Sequence, residues 1–403
     1  IGGVVNIITK SFLKKQQSTN NIRSSILMGE HNLINTQIGL FYNVGKASIS
    51  GGSLYNKSDG NLLQSGLRNF FDIKSNSLSL RYQLSDFWSA SYRYSIDNRF
   101  FNAQWFYTTS PKDSSTEKVF RERHHIQILR CNDKNTTNFS ASFINTTDDY
   151  KFNSIVRAKN NTKYGLYRIS HQITINKFFS TLGGIESDMK AIESNNRGNH
   201  TLNHYAAFVI TNLKPVKKLN INFSFRSDYD SISKLNFIPH FGIAYDLSKF
   251  MLLKANVGYS IRTPDFTELY YNNYASSVPA GSRVGNPSLN AEKAWSYEIG
   301  SDIRISPVLS FSLSSFYRNT KDLIDYVNII ADSITYLKNL TPQSYYWMAQ
   351  NNSKSTSWGI DSRIIFNYKS TFISVNGNIG YLFNNINYNS VQKPLYLLLH
   401  SKH

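Results

Sequence analysis

The sequence lacks long hydrophobic runs and is nearly free of cysteine. No segment approaches the roughly 18 consecutive apolar residues that a membrane-spanning helix needs, which excludes a helical membrane protein. Cys131 is the single cysteine, so a disulfide framework and a multi-thiolate metal site are excluded. Motifs for a nucleophile elbow, a phosphate-binding loop and a zinc enzyme are also missing. We therefore expect neither an enzyme nor a resident cofactor.

Acidic residues are scarce beside basic ones. The chain has 26 Asp and Glu against 44 Lys and Arg, which gives a formal net charge of +18. The basic residues are spread singly and form no concentrated patch, so the charge does not predict a nucleic-acid partner. We expect some of these side chains to line a polar lumen or to meet anionic lipid headgroups.

Aromatic residues, by contrast, are abundant. They make up 14% of the chain, with 26 Tyr and 26 Phe, although hydrophobic residues reach only 40%. A membrane β-barrel explains both values, because only alternate residues face lipid and aromatic rings gather at the two interfaces. The mean hydropathy of -0.37 fits this class, since a spanning strand needs only about 9–11 residues of alternating character.

Period-two alternation of polar and apolar residues recurs along the whole chain. Leu78, Leu80 and Tyr82 alternate with Ser79 and Arg81, which places the two sets on opposite faces of a strand. The same pattern returns in residues 90–96, 167–175, 221–225, 253–261, 309–313 and 373–381. The spacing predicts one all-β domain of roughly 18 or 19 antiparallel strands, each about ten residues long.

Short and long connections alternate between these strands. Short turns are predicted near residues 44–46, 85–87, 132–134, 176–177, 215–217, 247–249 and 306–307, and longer loops at 56–68, 101–117, 148–163, 195–200 and 263–290. Outer-membrane barrels show this asymmetry, with tight turns at the periplasmic end and long loops outside.

Two segments resemble the TonB-dependent receptor family. Residues 1–10 are similar to the last strand of that family's plug domain, through Gly2, Gly3 and Asn6. The second segment carries three motifs in order: Arg262, Pro264, Phe266, Glu268 and Leu269, then Gly285, Asn286, Pro287, Leu289 and Glu292, then Glu298 and Gly300. Pro264 ends a strand because it removes a ladder donor, and Gly285-Asn286-Pro287 is turn chemistry.

The resemblance implies a transmembrane barrel of about twenty-two strands with a plug folded inside. We expect residues 1–10 to end the plug and residues 11–403 to belong to the barrel. The energy-coupling segment, most of the plug and the last strands are expected to be missing, so the sequence is expected to be a fragment incomplete at both ends.

The implied function is a receptor in the outer membrane of a Gram-negative cell. Such a receptor imports a scarce, large nutrient such as a cobalamin or an iron–siderophore chelate, and a TonB-type inner-membrane protein drives the import. Outer-membrane lipid and a surface lipoprotein are further partners that the resemblance suggests.

Aromatic loop residues are the candidate ligand contacts, because flat rings offer large contact area with few rotamers to freeze. They form two clusters: Trp105, Phe106 and Tyr107 in one loop, and Tyr270, Tyr271 and Tyr274 with Arg283 in the longest loop. The alternative is that these rings belong to the interfacial girdle or fold onto the loop itself. We expect Glu268, Glu292 and Glu298 to pair with Arg262 or Arg283 and to brace the loop without touching ligand.

Two other function classes remain open from the sequence. A passive porin needs no plug, so the plug-like segment argues against it. A surface β protein that binds glycans through aromatic loops is the other alternative. Metal sites have little support: His124 and His125 point to opposite faces of a strand, and the loops around Asp148-Asp149 and Asp228 to Asp230 lack calcium-loop spacing.

Overall fold

A computed structural model describes residues 20–104, 110–367 and 374–388. The strands of these ranges are β1 (Asn21–Gly29), β2 (Leu33–Val44), β3 (Ala47–Ser58), β4 (Phe71–Gln83), β5 (Trp88–Asn102), β6 (Ser115–Cys131), β7 (Asn135–Phe152), β8 (Ile155–Asn176), β9 (Phe179–Ser194), β10 (Gly198–Val216), β11 (Leu219–Asp230), β12 (Lys234–Asp246), β13 (Met251–Arg262), β14 (Arg283–Val284), β15 (Glu292–Arg304), β16 (Leu309–Ile330), β17 (Tyr345–Asn367) and β18 (Ser374–Tyr388). Helix α1 (Phe266–Tyr270) and a 3-10 helix (Ala331–Ser333) are short. Within the described ranges, no helix is long and apolar enough to cross a membrane.

The described residues fall into two compact units. The first unit comprises those of Ile1–His171 and Glu186–His204, and the second those of Gln172–Ile185 and Tyr205–His403. In the first unit, β1 to β7 pair in chain order as an antiparallel meander. In the second, β11, β12, β13, β15, β16, β17 and β18 pair antiparallel in that order, and β14 pairs parallel with β17. The predicted all-β, antiparallel class is confirmed, with eighteen strands in the described part.

The sheet of the first unit carries its apolar side chains on an exposed face. Leu78 faces Tyr94 across the β4–β5 pair, and Leu80 faces Tyr92. Leu78 is 42% exposed and Leu80 is 39% exposed, whereas Ser79 between them is only 6% exposed. A sheet in water would hide the leucines and expose the serine, so this reversed order suits a strand whose outer face meets lipid.

Several strands are longer than the sequence pattern predicted. The predicted loop at residues 148–163 is wrong: β7 continues to Phe152, and β8 starts at Ile155. Asn153 and Ser154 between them have φ of 47° and 65°, which is the left-handed conformation of the tightest hairpin turns. The pair has no glycine, so its sequence does not predict such a turn. The predicted loop at 195–200 is likewise shortened, because β9 ends at Ser194 and β10 begins at Gly198.

The second unit holds its longest connections at the ends of β13 and β16. Residues 263–291 and 331–349, called the cap below, contain α1, β14, the 3-10 helix and the start of β17. The cap encloses a core of its own, made of Val278, Val284, Ala331, Ile334 and Tyr346. The predicted loop at 263–290 is therefore confirmed as a connection, and it is an ordered one.

Candidate functional site in the cap

The cap begins with a short helix whose first turn is capped by nearby side chains. Pro264 ends β13, and Asp265 takes the position before the helix, where its carboxylate accepts hydrogen bonds from the backbone N–H groups of Thr267 and Glu268, each at 2.8 Å. Glu268 reaches back to the backbone N–H of Asp265 at 3.0 Å. This reciprocal pair satisfies donors that the first helical turn leaves open, so five residues are enough to form helix α1.

Arg262 joins the start of the cap to the start of the next strand. Its guanidinium donates two hydrogen bonds to Glu268, both at 2.9 Å, and two to Glu292, at 2.8 and 2.6 Å. Glu292 also accepts the backbone N–H of Ile324 at 2.9 Å. The planar five-donor fork of arginine allows this double bidentate contact, which lysine would not reproduce.

The predicted pairing of the motif charges is thus confirmed for Arg262 with Glu268 and Glu292. Glu298 differs, because it lies further along β15 and accepts a hydrogen bond from the Asn256 amide at 3.2 Å. Arg283 places its guanidinium carbon 5.6 Å from the ring centroid of Tyr326. The geometry gives the Arg262 cluster a bracing role in the loop.

The Gly285-Asn286-Pro287 motif packs directly against the helix. Gly285 donates its N–H to the Tyr271 carbonyl at 2.8 Å, and Asn286 donates its N–H to the Glu268 carbonyl at 2.8 Å. A β-carbon at position 285 would lie 2.3 Å from the Tyr270 nitrogen, closer than any side chain can come. The glycine is required here for close approach of two backbones.

The side-chain amide of Asn286 links this part of the cap to strand β17. It donates to the Ala349 carbonyl at 3.0 Å and accepts the N–H of Ser288 at 2.9 Å. Leu289, three residues after Asn286, is 3% exposed. These contacts show that the second family motif fixes the return of the cap chain into β15.

Tyr346 and Tyr336 bind the two halves of the cap together. The Tyr346 hydroxyl donates to the Val278 carbonyl and accepts the Thr341 N–H, both at 2.9 Å. The Tyr336 hydroxyl donates to the Gly285 carbonyl at 2.6 Å. Burial raises the pKa of Tyr336 to about 12, which keeps this hydroxyl protonated and able to donate throughout the physiological range.

The cap brings together the second cluster of candidate ligand residues. Tyr274 is 58% exposed, Arg283 is also exposed, and Tyr270 and Tyr271 are partly buried. The sequence did not single out Tyr336 and Tyr345, which are 44% and 53% exposed in the second half of the cap. Both follow or flank a Ser- and Thr-containing stretch without a family motif, so only the fold brings them into the cap.

Other sequence-selected residues lie elsewhere. Trp105, Phe106 and Tyr107 and the plug-like Gly2, Gly3 and Asn6 are outside the described residues. Gly300 lies in β15, where a β-carbon would come 3.0 Å from the Leu313 carbonyl oxygen, so its small size serves strand packing.

Side chains weighed as metal ligands in the sequence have other partners. The His124 ring contacts the Tyr92 hydroxyl, and the His125 ring contacts the Ser142 hydroxyl, each at 2.8 Å. The two carboxylate oxygens of Asp148 each accept a hydrogen bond from the Asn160 amide at 2.8 Å. Asp148 lies within strand β7 and not in the loop that the sequence predicted.

An antiparallel meander with an exposed apolar face is typical of transmembrane β-barrels, and comparison with known proteins gives the family. Residues 13–396 match the family described as TonB dependent receptor-like, beta-barrel. The chain therefore belongs to the TonB-dependent receptor β-barrel family. No protein of curated function matches the sequence significantly.

Solved structures share the fold at low sequence identity. The siderophore receptor PirA from Pseudomonas aeruginosa matches with a TM-score of 0.72 and 16% identity over 92% of this chain and 68% of that one. The ferric enterobactin receptor PfeA from the same organism has a TM-score of 0.70 and 12% identity, over 90% of this chain and 61% of that one. The FrpB iron transporter from Neisseria meningitidis has a TM-score of 0.69 and 11% identity, over 92% and 62%. The present chain thus spans less than two thirds of the length of most of these relatives.

Proposed function

We propose that this chain is the barrel part of an outer-membrane receptor that captures a metal chelate of the siderophore class and imports it with energy from a TonB-type partner. The cap is the observation that carries the proposal. It is a loop structure with its own buried core that nevertheless leaves tyrosines and an arginine exposed.

The strand faces support a membrane setting. Along β15, Trp295, Tyr297 and Ile299 are 41%, 47% and 66% exposed, and these alternate residues share one face of the strand. Exposing apolar and aromatic side chains in this arrangement to water is unfavourable, whereas their contact with a bilayer and its interface is favourable. A location in the outer membrane, with lipid against this face, follows from the proposal.

The exposed cap residues suit an anionic, aromatic ligand. Tyrosine offers a rigid, flat surface with one hydroxyl, and arginine recognises negative charge and stacks on rings. Tyr274 and Arg283 lie on the half of the cap that is pinned by Gly285 and Asn286. A pinned loop loses little conformational entropy on binding, which favours affinity.

The names of the similar structures favour one substrate class over another. They are a siderophore receptor, a ferric enterobactin receptor and an iron transporter. We therefore place an iron–siderophore chelate ahead of cobalamin for this chain. A ferric catecholate is anionic and aromatic, so it matches the chemistry of Tyr274 and Arg283.

Family membership supports the remaining parts of the proposal. Residues 1–10, with Gly2, Gly3 and Asn6, would end a plug domain, and residues 11–403 would belong to the barrel. A TonB-type inner-membrane protein would act on that plug, and a surface lipoprotein is a further candidate partner. The chain itself is proposed to bind and transport its cargo without chemical change.

Binding of a ferric catecholate to the protein in detergent, followed by quenching of tyrosine and tryptophan fluorescence, tests the proposal. We expect saturable binding of the ferric complex with a micromolar or lower Kd. Replacing Tyr274 by Ser together with Arg283 by Gln is expected to weaken binding by about tenfold or more, equivalent to about 1.4 kcal/mol.

Tyr297→Ser provides the matched control, because Tyr297 is 47% exposed on strand β15 and outside the cap. It should leave binding unchanged. The proposal fails if no chelate among ferric catecholates, ferric hydroxamates and cobalamin binds. Steady ion conductance of the intact protein in a planar bilayer would instead favour the passive porin.

A further inference from the structure

Three side chains of the first unit form a cluster with the composition of a metal site. Glu186 and Asp188 lie on β9 and His204 lies on β10, and one ligand atom from each lies within 4.8 Å of the others. We propose that these three residues bind a divalent transition-metal ion of the zinc type.

The cluster lies on the polar face of its strands. Glu186 and Asp188 alternate with Met189, which is 41% exposed, and with Ile185, which is 58% exposed. Since neighbouring residues of a strand point to opposite sides, the two carboxylates point away from the apolar face. An ion would reach them from the aqueous side of the sheet.

The carboxylates of Glu186 and Asp188 lie close together and are nearly shielded from solvent. The side chains of Glu186 and Asp188 are only 8% and 9% exposed. Arg168 contacts the Glu186 carboxylate through its ε-nitrogen at 2.7 Å. The His204 ring contacts the Asp188 carboxylate, and a divalent cation would add favourable charge beside these two nearly buried carboxylates.

The spacing of Asp188 and His204 is close to what a shared metal ion requires. The His204 Nδ1 and Asp188 Oδ2 atoms are 2.6 Å apart. Ligand atoms about 2.0–2.2 Å from one zinc ion lie roughly 3.3–3.5 Å apart in a tetrahedral site. The pair would separate by less than about 1 Å when an ion replaces the proton between the two atoms.

The ligand types choose the class of ion. One imidazole nitrogen with two carboxylate oxygens suits zinc and its neighbours in the first transition row, while calcium and magnesium prefer oxygen alone. Three protein ligands leave a fourth position for water or for a donor atom of another molecule. The site joins β9 to β10 and would tie these two strands together.

Zinc titration of the untagged protein in detergent, by calorimetry after removal of metal with a chelator, tests the site. We expect one equivalent of Zn2+ to bind, and Ca2+ not to compete. His204→Gln and Asp188→Asn should each weaken zinc binding by at least about tenfold. Co2+ in place of Zn2+ should give an absorption band that His204→Gln abolishes.

His171→Gln is the matched control, because His171 lies on β8 and its ring contacts the Thr137 hydroxyl at 2.8 Å. It should bind zinc as the parent does. Arg168→Gln removes the cation that holds Glu186 and should strengthen binding. The proposal is overturned if zinc does not bind, if His204→Gln binds as the parent does, or if Arg168→Gln fails to bind more tightly. Circular dichroism of each variant verifies the fold, and this test is independent of chelate transport.

Discussion

The strands of the first unit and the cap of the second bury opposite kinds of side chain. In β4, Leu78 is 42% exposed and Ser79 is 6% exposed, whereas in the cap Leu269 and Tyr346 are 0% exposed. The strands follow the rule for an outer face in lipid, and the cap follows the rule for a small protein in water. The exposed apolar face of the strands suits lipid and the buried core of the cap suits water, so the two regions follow different burial rules.

The largest effect expected in this comparison comes from Gly285→Ala in the cap. The added methyl group would lie 2.3 Å from the Tyr270 nitrogen and 2.5 Å from the Leu269 carbonyl carbon, so helix α1 must move. We expect a loss of more than about 4 kcal/mol from the local stability of the cap, because severe overpacking is one of the few mechanisms that reach this range. Hydrogen exchange of cap amides, followed by mass spectrometry, measures it.

Gly380→Ala supplies the control for that experiment, because a β-carbon at position 380 of strand β18 meets no atom within 4 Å. Its exchange rates in the cap should equal those of the parent. Unchanged cap exchange in Gly285→Ala would show that the two backbones do not approach closely.

A smaller effect comes from the same substitution made in the two regions. Leu269→Ala removes a side chain that is fully buried and should destabilise the cap by about 2–5 kcal/mol. Leu78→Ala shortens a side chain on the exposed face of β4 and leaves no cavity, because lipid fills the space. It should cost only the lost transfer of the side chain from water to lipid, about 1–2 kcal/mol. Urea unfolding in lipid vesicles measures both losses of stability. Equal losses in the two variants would contradict the different burial of the cap and the strand.

The smallest effect concerns the helix of the cap. Asp265→Ala removes the two side-chain hydrogen bonds that begin α1 and should cost about 1 kcal/mol of local stability. Asp265→Asn retains an oxygen acceptor and should cost only a few tenths, since asparagine caps helices as well as aspartate. Hydrogen exchange of the Leu269 amide reports both values. An equal loss in the two variants would mean that charge, and not the acceptor, stabilises the helix.

Much of the fold was predictable because its governing pattern is local. The alternation of Leu78, Leu80 and Tyr82 with Ser79 and Arg81 predicted their strand correctly. The motifs predicted that Glu268, Glu292 and Glu298 pair with Arg262 or Arg283, and the structure pairs Arg262 with the first two. The turn at Asn153 and Ser154 was not predicted, because neither residue is glycine, the residue that adopts a left-handed backbone without steric cost. A loop was therefore predicted where two long strands meet.

The candidate sites were less predictable than the strands. Tyr274 and Arg283 were selected from their aromatic loop, and this assignment stays a prediction. Tyr336 and Tyr345 were missed, because the sequence gives no sign that the second half of the cap packs against the first. The Glu186, Asp188 and His204 cluster was missed for the same reason, since its residues come from two strands.

The sequence by itself determined which side chains share a face of each strand and where the strand-ending motifs fall, because both depend on neighbours a few residues apart. Only the tertiary structure decided which distant residues meet. Tyr346 bonds to Val278, 68 positions away, and Gly285 lies against α1 because register, turn length and packing over the intervening chain happen to bring them together. Those quantities are properties of the whole folded chain, and a local pattern does not encode them.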